Sequence, residues 1–166
     1  MAARSTRSTT SPARAPTYPF ETEQDTRLDG KERVLAVEID SDAVAFPSTA
    51  LAEHVVIEAE AGGQSVVAFW QPGTRSALDR PLIADGADVG AAAAYSPDLD
   101  GQLLSFVERN GAIVGTETGS TWSELGRATG GPLSGSVRAP IVAGNHFWFA
   151  WVAFEPVTRI AGGVAR

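Results

Sequence analysis

At 166 residues, 43% of them hydrophobic, the chain is expected to fold as one domain with its own core, needing no metal or disulfide to do so. The absence of cysteine excludes disulfides, thiolate metal sites, iron–sulfur clusters and thiol catalysis. The formal net charge is −7, and residues 1–16 hold three of the 13 basic residues and none of the 20 acidic ones, so an acidic body argues against nucleic acid as a partner.

Residues 1–16 are built from Met, Ala, Arg, Ser, Thr and Pro. Such a stretch buries too little apolar surface to offset its ordering entropy, which predicts a flexible tail ahead of a single domain over 17–166. It has no apolar h-region and is not a secretory signal as it stands. Folded structure is expected from Tyr18 to Phe20 onward. Asp29-Gly30 is a turn signal, and residues 33–39, RVLAVEI, have strand spacing. A short strand over 43–46 stops at Pro47, and Ser48 is the expected N-cap of one or two helical turns over 49–53. Residues 54–60 and 65–70 read as strands around a Gly62-Gly63 hairpin turn. Pro72 and Gly73 make residues 70–80 a loop or bulged edge, and 85–90 another loop.

Residues 91–95 form a weaker strand signal, followed by turns at Ser96-Pro97-Asp98 and Asp100-Gly101 and a strand over 103–108. Asn110-Gly111 carries the strongest hairpin signal, because both residues tolerate the positive φ of a type I′ turn. Gly119 to Trp122 is a turn into a short strand, and Gly126, Gly130, Gly131, Pro132 and Gly135 mark a loop-rich segment. Near the end, Asn145 is the expected N-cap of a helix carrying Phe147, Trp148, Trp151, Val152 and Phe154 and stopped by Pro156. Ala150 and Ala153 favour the helix; the alternative is an aromatic strand with Trp148, Ala150, Val152 and Phe154 on one face. The expected fold class is therefore α+β: predominantly antiparallel β, with a short helix near residue 48 and a C-terminal aromatic helix. No apolar run approaches the roughly 20 residues of a membrane span.

The chemistry-bearing candidates are few. His54 and His146 are the only histidines, and no HxH, HxxxH or HExxH spacing exists, so no metal site is expected. Ser120 with His146 is the one serine–histidine pairing on offer, and a hydrolase using these two or carboxylates is the enzyme alternative. Ser120 lacks the GxSxG elbow, however, and a serine after glycine ordinarily bonds the backbone of its own turn. Ala61-Gly62-Gly63-Gln64 and Gly130-Gly131-Pro132 match neither GxxxxGK[ST] nor GxGxxG, so no cofactor is expected. The aromatics are more distinctive. Trp70, Trp122, Trp148 and Trp151 are the ligand-binding candidates, as a stacking platform for a sugar ring or a partner chain, against the simpler reading of a helix packing its stripe on a sheet. Phe147 and Phe149 cannot share a helical face with Trp148 and Trp151. That predicts exposed apolar surface, with Phe147, Phe149 and Trp70 as candidates for a homodimer or protein-partner interface.

Three segments carry a family resemblance: residues 27–37, RLDGKERVLAV; residues 117–122, ETGSTW; and Phe147-Trp148-Phe149-Ala150-Trp151 with Pro156 and Thr158. Together with Ala45-Phe46-Pro47 and residues 130–135, GGPLSG, they resemble a bacterial and archaeal domain of unknown function, DUF3179, over about residues 25–160. The resemblance implies the C-terminal half of longer members that have two similar halves. Many members carry Tyr-Cys-Pro-x-Cys-Gly-Ser where residues 69–76 here read FWQPGTRS, so a metal or redox role resting on those cysteines does not transfer. Family members often bear export signals, which points to an extracytoplasmic setting. The expectation for function is a non-catalytic binding or structural module.

Overall fold

Residues 33–39 alternate so that Val34 and Ala36 face one way and Leu35 and Val37 the other, and all four are buried. A strand with both faces covered belongs in the middle of a layered structure, each fully buried Val or Leu contributing about 1.5–3 kcal/mol. The computed structural model describes residues 25–73 and 90–162 and shows those layers. The tail over 1–16 and the loop residues 74–80 and 85–89 lie outside the described residues.

The first sheet has the order β13-β1-β2-β14, formed by β1 (Arg33–Ile39), β2 (Asp42–Pro47), β13 (Ala143–Phe147) and β14 (Arg159–Ile160). All its pairings are antiparallel except β14 with β2. One face is covered by the helix α2 (Trp148–Phe154), whose Trp148 packs with Val34, Ala36 and Ala45. The other face joins Leu35, Val37, Val44 and Phe46 to the short helix α1 (Ser48–His54) and to a second sheet. That sheet has the order β12-β5-β4-β3, from β3 (Val56–Ala61), β4 (Gln64–Gln71), β5 (Ala91–Tyr95) and β12 (Pro140–Ile141). β4 repeats the pattern of β1: Val66 and Ala68 enter the first cluster, Val67 and Phe69 the next.

On that far side lies a third sheet, β11-β10-β9-β8, from β8 (Phe106–Arg109), β9 (Ala112–Gly115), β10 (Thr121–Trp122) and β11 (Ala128–Gly130). Phe106, Ile113 and Trp122 meet Val67, Phe69 and Tyr95 there. A small ribbon of β6 (Asp98–Leu99) and β7 (Gln102–Leu103) completes the strands. The architecture is β-rich α+β, with no described helix long and apolar enough to cross a membrane.

Both expected hairpin turns form. Gly62 and Gly63 have φ of 55° and 71°, and Asn110 and Gly111 have 52° and 80°, as a type I′ turn requires. Asp40-Ser41, φ 50° and 64°, makes a third turn of this kind between β1 and β2 with neither Gly nor Asn.

Two helix starts differ from the sequence reading. Pro47, not Ser48, holds the N-cap position of α1, and no side chain of the cap residue bonds the helix. The Glu32 carboxylate does that work from a distance, accepting from the Thr49 N–H and hydroxyl at 3.0 Å each. Asn145 is likewise not the N-cap of α2; it lies within β13, and Phe147 takes the cap position. The carbonyls of Glu32 and Gly30 accept from the Trp148 and Phe149 N–H groups at 2.8 and 3.1 Å, so the helix needs no side-chain cap. The strand expected over 54–60 starts at Val56, because α1 keeps His54 and Val55 turns the chain at φ 63°. The strand expected over 103–108 is broken: Leu103 pairs in the small ribbon, and Phe106 begins β8.

Candidate functional site

Ser120, one half of the hydrolase alternative, is fully buried just before β10. Its Oγ accepts hydrogen bonds from Thr118 Oγ1 and from the Leu133 N–H, both at 3.0 Å. Those bonds occupy the lone pairs an attacking hydroxyl would need. His146 is exposed on β13, in a different sheet, so the structure does not bring the pair together as neighbouring strand residues.

The four tryptophans also separate. Trp148 and Trp122 are buried core residues, with the Arg27 guanidinium 5.0 Å from the Trp148 ring. Trp70 is half-buried on β4, and its Nε1 is enclosed with no acceptor among the described residues. Trp151 alone approaches a polar candidate. Its ring stacks on His146 at 5.1 Å with an interplanar angle of 29°, while its Nε1 donates to Thr158 Oγ1 at 2.8 Å.

Arg138 was invisible to pattern reading, because no opposite charge sits at a telling spacing. It is 1% exposed, its guanidinium 4.6 Å from the Phe106 ring centroid and 4.9 Å from that of Trp122. Nη1 donates to the Ser96 carbonyl at 3.1 Å, while Nε and Nη2 have no acceptor among the described residues. Burial pulls its pKa down, against the opposing charges of Asp98 and Glu117.

An accessible constellation lies at β13. Arg33, Asn145, His146 and Phe147 line a cleft of about 190 Å³. Three consecutive strand residues point alternately to opposite faces, so a cleft lined by all three straddles the edge of the strand. The backbone at that edge follows from the ladder. The two-residue turn at Asp40-Ser41 makes Ile39 and Asp42 a hydrogen-bonded pair, so Ile39, Val37 and Leu35 bond β2 while Ala36 and Val34 bond β13. The Trp148 N–H bond to the Glu32 carbonyl continues the same parity. On β13, therefore, Gly144 and His146 bond inward, and the N–H and C=O groups of Ala143 and Asn145 and the N–H of Phe147 point out along an edge that no described strand covers, the Phe147 C=O being taken by the first turn of α2.

Side chains decorate this edge on both faces. On one face the His146 imidazole lies over Gly144, where a Cβ would fall 2.4 Å from its Nε2, and rests against Trp151. On the other, the Arg33 guanidinium sits 5.3 Å from the Phe147 ring, which is itself stacked with Phe149 at 6.1 Å. Phe149 is 56% exposed and Val142, just before the strand, 92%. The other long edge, β3, carries Glu58 and Glu60, and the Glu58 carboxylate accepts the Phe106 N–H of β8 at 2.9 Å. Charges and coverage of that kind protect an edge from pairing. Among the described residues β13 has neither, and residues 139–154 hold no Asp, Glu, Lys or Arg. That uncharged run is the signal in the sequence that could have marked the edge. What the site offers is main-chain donors and acceptors, an amide, an imidazole and aromatic faces, which is the equipment of recognition.

The sequence model of one family, described as a protein of unknown function (DUF3179), matches residues 6–158. Searches of curated proteins and of solved structures gave no match.

Proposed function

Because the chain belongs to the DUF3179 family, whose function is unknown, its role must be read from its own surface, and we propose that it is a non-catalytic binding module taking an extended polypeptide segment along β13. The observation that carries this reading is the edge itself: a strand without a charged residue, with outward N–H groups at Ala143, Asn145 and Phe147, outward C=O groups at Ala143 and Asn145, and a cleft beside them. An added strand gains main-chain hydrogen bonds from such an edge, and alternate side chains find the Arg33–Phe147 and His146–Trp151 surfaces. The buried, doubly bonded Ser120 hydroxyl favours binding over hydrolysis. An extracytoplasmic setting is part of the proposal and rests on the export signals that the family resemblance implies.

The test is a library of extended peptides screened by amide chemical shifts. Perturbation centred on Ala143, Asn145 and Phe147 supports the reading. Turnover of an ester, phosphate or glycoside by the purified chain, with no peptide bound, reverses it. A folded reporter fused to the full-length gene product and recovered only from the cytoplasm would remove the extracytoplasmic part.

A further inference from the structure

Resting on β13 as the binding edge, we infer that the segment it takes is the β13 strand of a second copy, paired antiparallel about a two-fold axis through Asn145. Charge limits where two copies can meet. Each carries a net −7, so like-charged surfaces repel, and residues 139–154 are a stretch free of Asp, Glu, Lys and Arg. β13 and the exposed Val142 and Phe149 belong to that stretch.

The order of side chains along the strand is self-complementary. β13 reads Ala143, Gly144, Asn145, His146, Phe147: two small residues, an amide, two large ones. Antiparallel pairing centred on Asn145 sets Ala143 opposite Phe147 of the partner subunit and Gly144 opposite His146 of the partner subunit. No bulky residue meets another bulky one. Centring on Gly144 would leave Phe147 unpaired, and centring on His146 would set imidazole against imidazole. The Asn145 register also uses the open edge: the outward-pointing residues Ala143, Asn145 and Phe147 face outward-pointing residues of the other copy, the Asn145 pair exchanges both its hydrogen bonds, and each Ala143–Phe147 pair makes one, from the Phe147 N–H, because α2 takes the Phe147 carbonyl.

At the axis the two Asn145 amides face each other, and an amide both donates and accepts, so they satisfy one another and pin the register. Just past the strand, the same register carries the exposed Val142 to the start of the partner's α2, beside the exposed phenylalanine that follows it. The product is a continuous sheet through both copies, with the cleft of each filled by the strand of the other.

The experiment is sedimentation of the full chain over a range of micromolar concentrations, with Asn145→Asp and Asn145→Lys. The parent is expected to dimerise. Each variant alone places like charges opposite each other at the axis and should weaken association by roughly tenfold or more, while an equal mixture of the two restores it. Circular dichroism matching the parent, and slow exchange of the Gly144 and His146 amides, confirm that the variants fold. A dimer indifferent to both variants and their mixture overturns the inference by placing the contact elsewhere. A monomeric parent also overturns it, and amide exchange then separates two cases. Fast exchange at Ala143, Asn145 and Phe147 sinks self-pairing alone and leaves β13 open to another protein's segment. Slow exchange there shows the edge already covered by this chain, and the binding-edge reading falls with it.

Discussion

The backbone N–H of Leu133 donates to the hydroxyl oxygen of Ser120 at 3.0 Å, tying the loop after β11 to the start of β10. Thr118 Oγ1 donates to the same atom. Ser120→Ala removes the acceptor for both and leaves partly buried donors unmet, at a cost of about 1–2 kcal/mol. Urea unfolding should show that loss. Unchanged stability would mean that the hydroxyl has no structural role here.

Arg138 separates the contribution of packing from that of charge. Its guanidinium packs against both the Phe106 and Trp122 rings, yet two of its nitrogens lack an acceptor among the described residues. Arg138→Met keeps the volume and relieves the desolvated charge, so its stability should stay within about 1 kcal/mol of the parent. Arg138→Ala opens a cavity and should cost about 2–5 kcal/mol. Arg138→Lys retains a buried charge without the planar stack and should fall below Met. Denaturant midpoints of the three variants give the ranking, and Met ranking lowest would show that the cation itself stabilises the fold.

The stacking of His146 on Trp151 depends on the bare backbone of Gly144. Gly144→Ala places a methyl 2.4 Å from Nε2, and the exposed imidazole swings away at a cost below about 1 kcal/mol, since its far end is free to move. In proton NMR the His146 ring signals should leave the shielding region of the indole and shift downfield. Unmoved signals would show that the stack does not form in solution.

Asp42 supplies a pH dependence whose direction follows from its partners. The Arg159 guanidinium at 2.7 Å, then the Gly62 N–H at 3.0 Å, hold its carboxyl below the ordinary carboxylate range. On acidification the unfolded chain therefore takes up this proton before the folded one does. The stabilisation is complete above the ordinary aspartate value and is lost as pH falls through the lower, folded value. Arg159→Gln should flatten the stability curve across that acid limb and leave it parallel to the parent near neutrality. Equal acid slopes for the two proteins would contradict the assignment.

What could be read from the sequence was local. RVLAVEI became β1 because strand alternation needs only neighbours, and Gly62-Gly63 and Asn110-Gly111 became turns because their φ preferences are intrinsic. The aromatic helix over Trp148–Phe154 also appeared where alanine content placed it. The helix starts were missed because their caps come from afar: Glu32 reaches Thr49 across 17 residues, and the Gly30 and Glu32 carbonyls meet α2 from the opposite end of the chain. Asn145 looked like a cap for the same reason that β13 went unseen, since only pairing with β1 makes residues 143–147 a strand. The aromatic candidates were half legible. Composition named Trp148 and Trp122, but only the packed structure shows that they are core; helix geometry did mark Phe149 as exposed, while Trp70, expected beside it on the surface, is half-buried.

β1 and β2 are made before all the other described strands, yet the strands on either side of their hairpin, β13 and β14, come from the last part of the described chain. A ribosome must therefore deliver the other two sheets before the first can close. Until then, the side of β1 that will bond β13 stays unpaired, and Val34 and Ala36 await the cover of Trp148. Pairings so distant in sequence close slowly, because the intervening chain must first be ordered or looped out. Nascent chains thus expose this apolar hairpin while the residues between β2 and β13 are made, a window in which chaperones or neighbouring nascent chains on the same message can reach it.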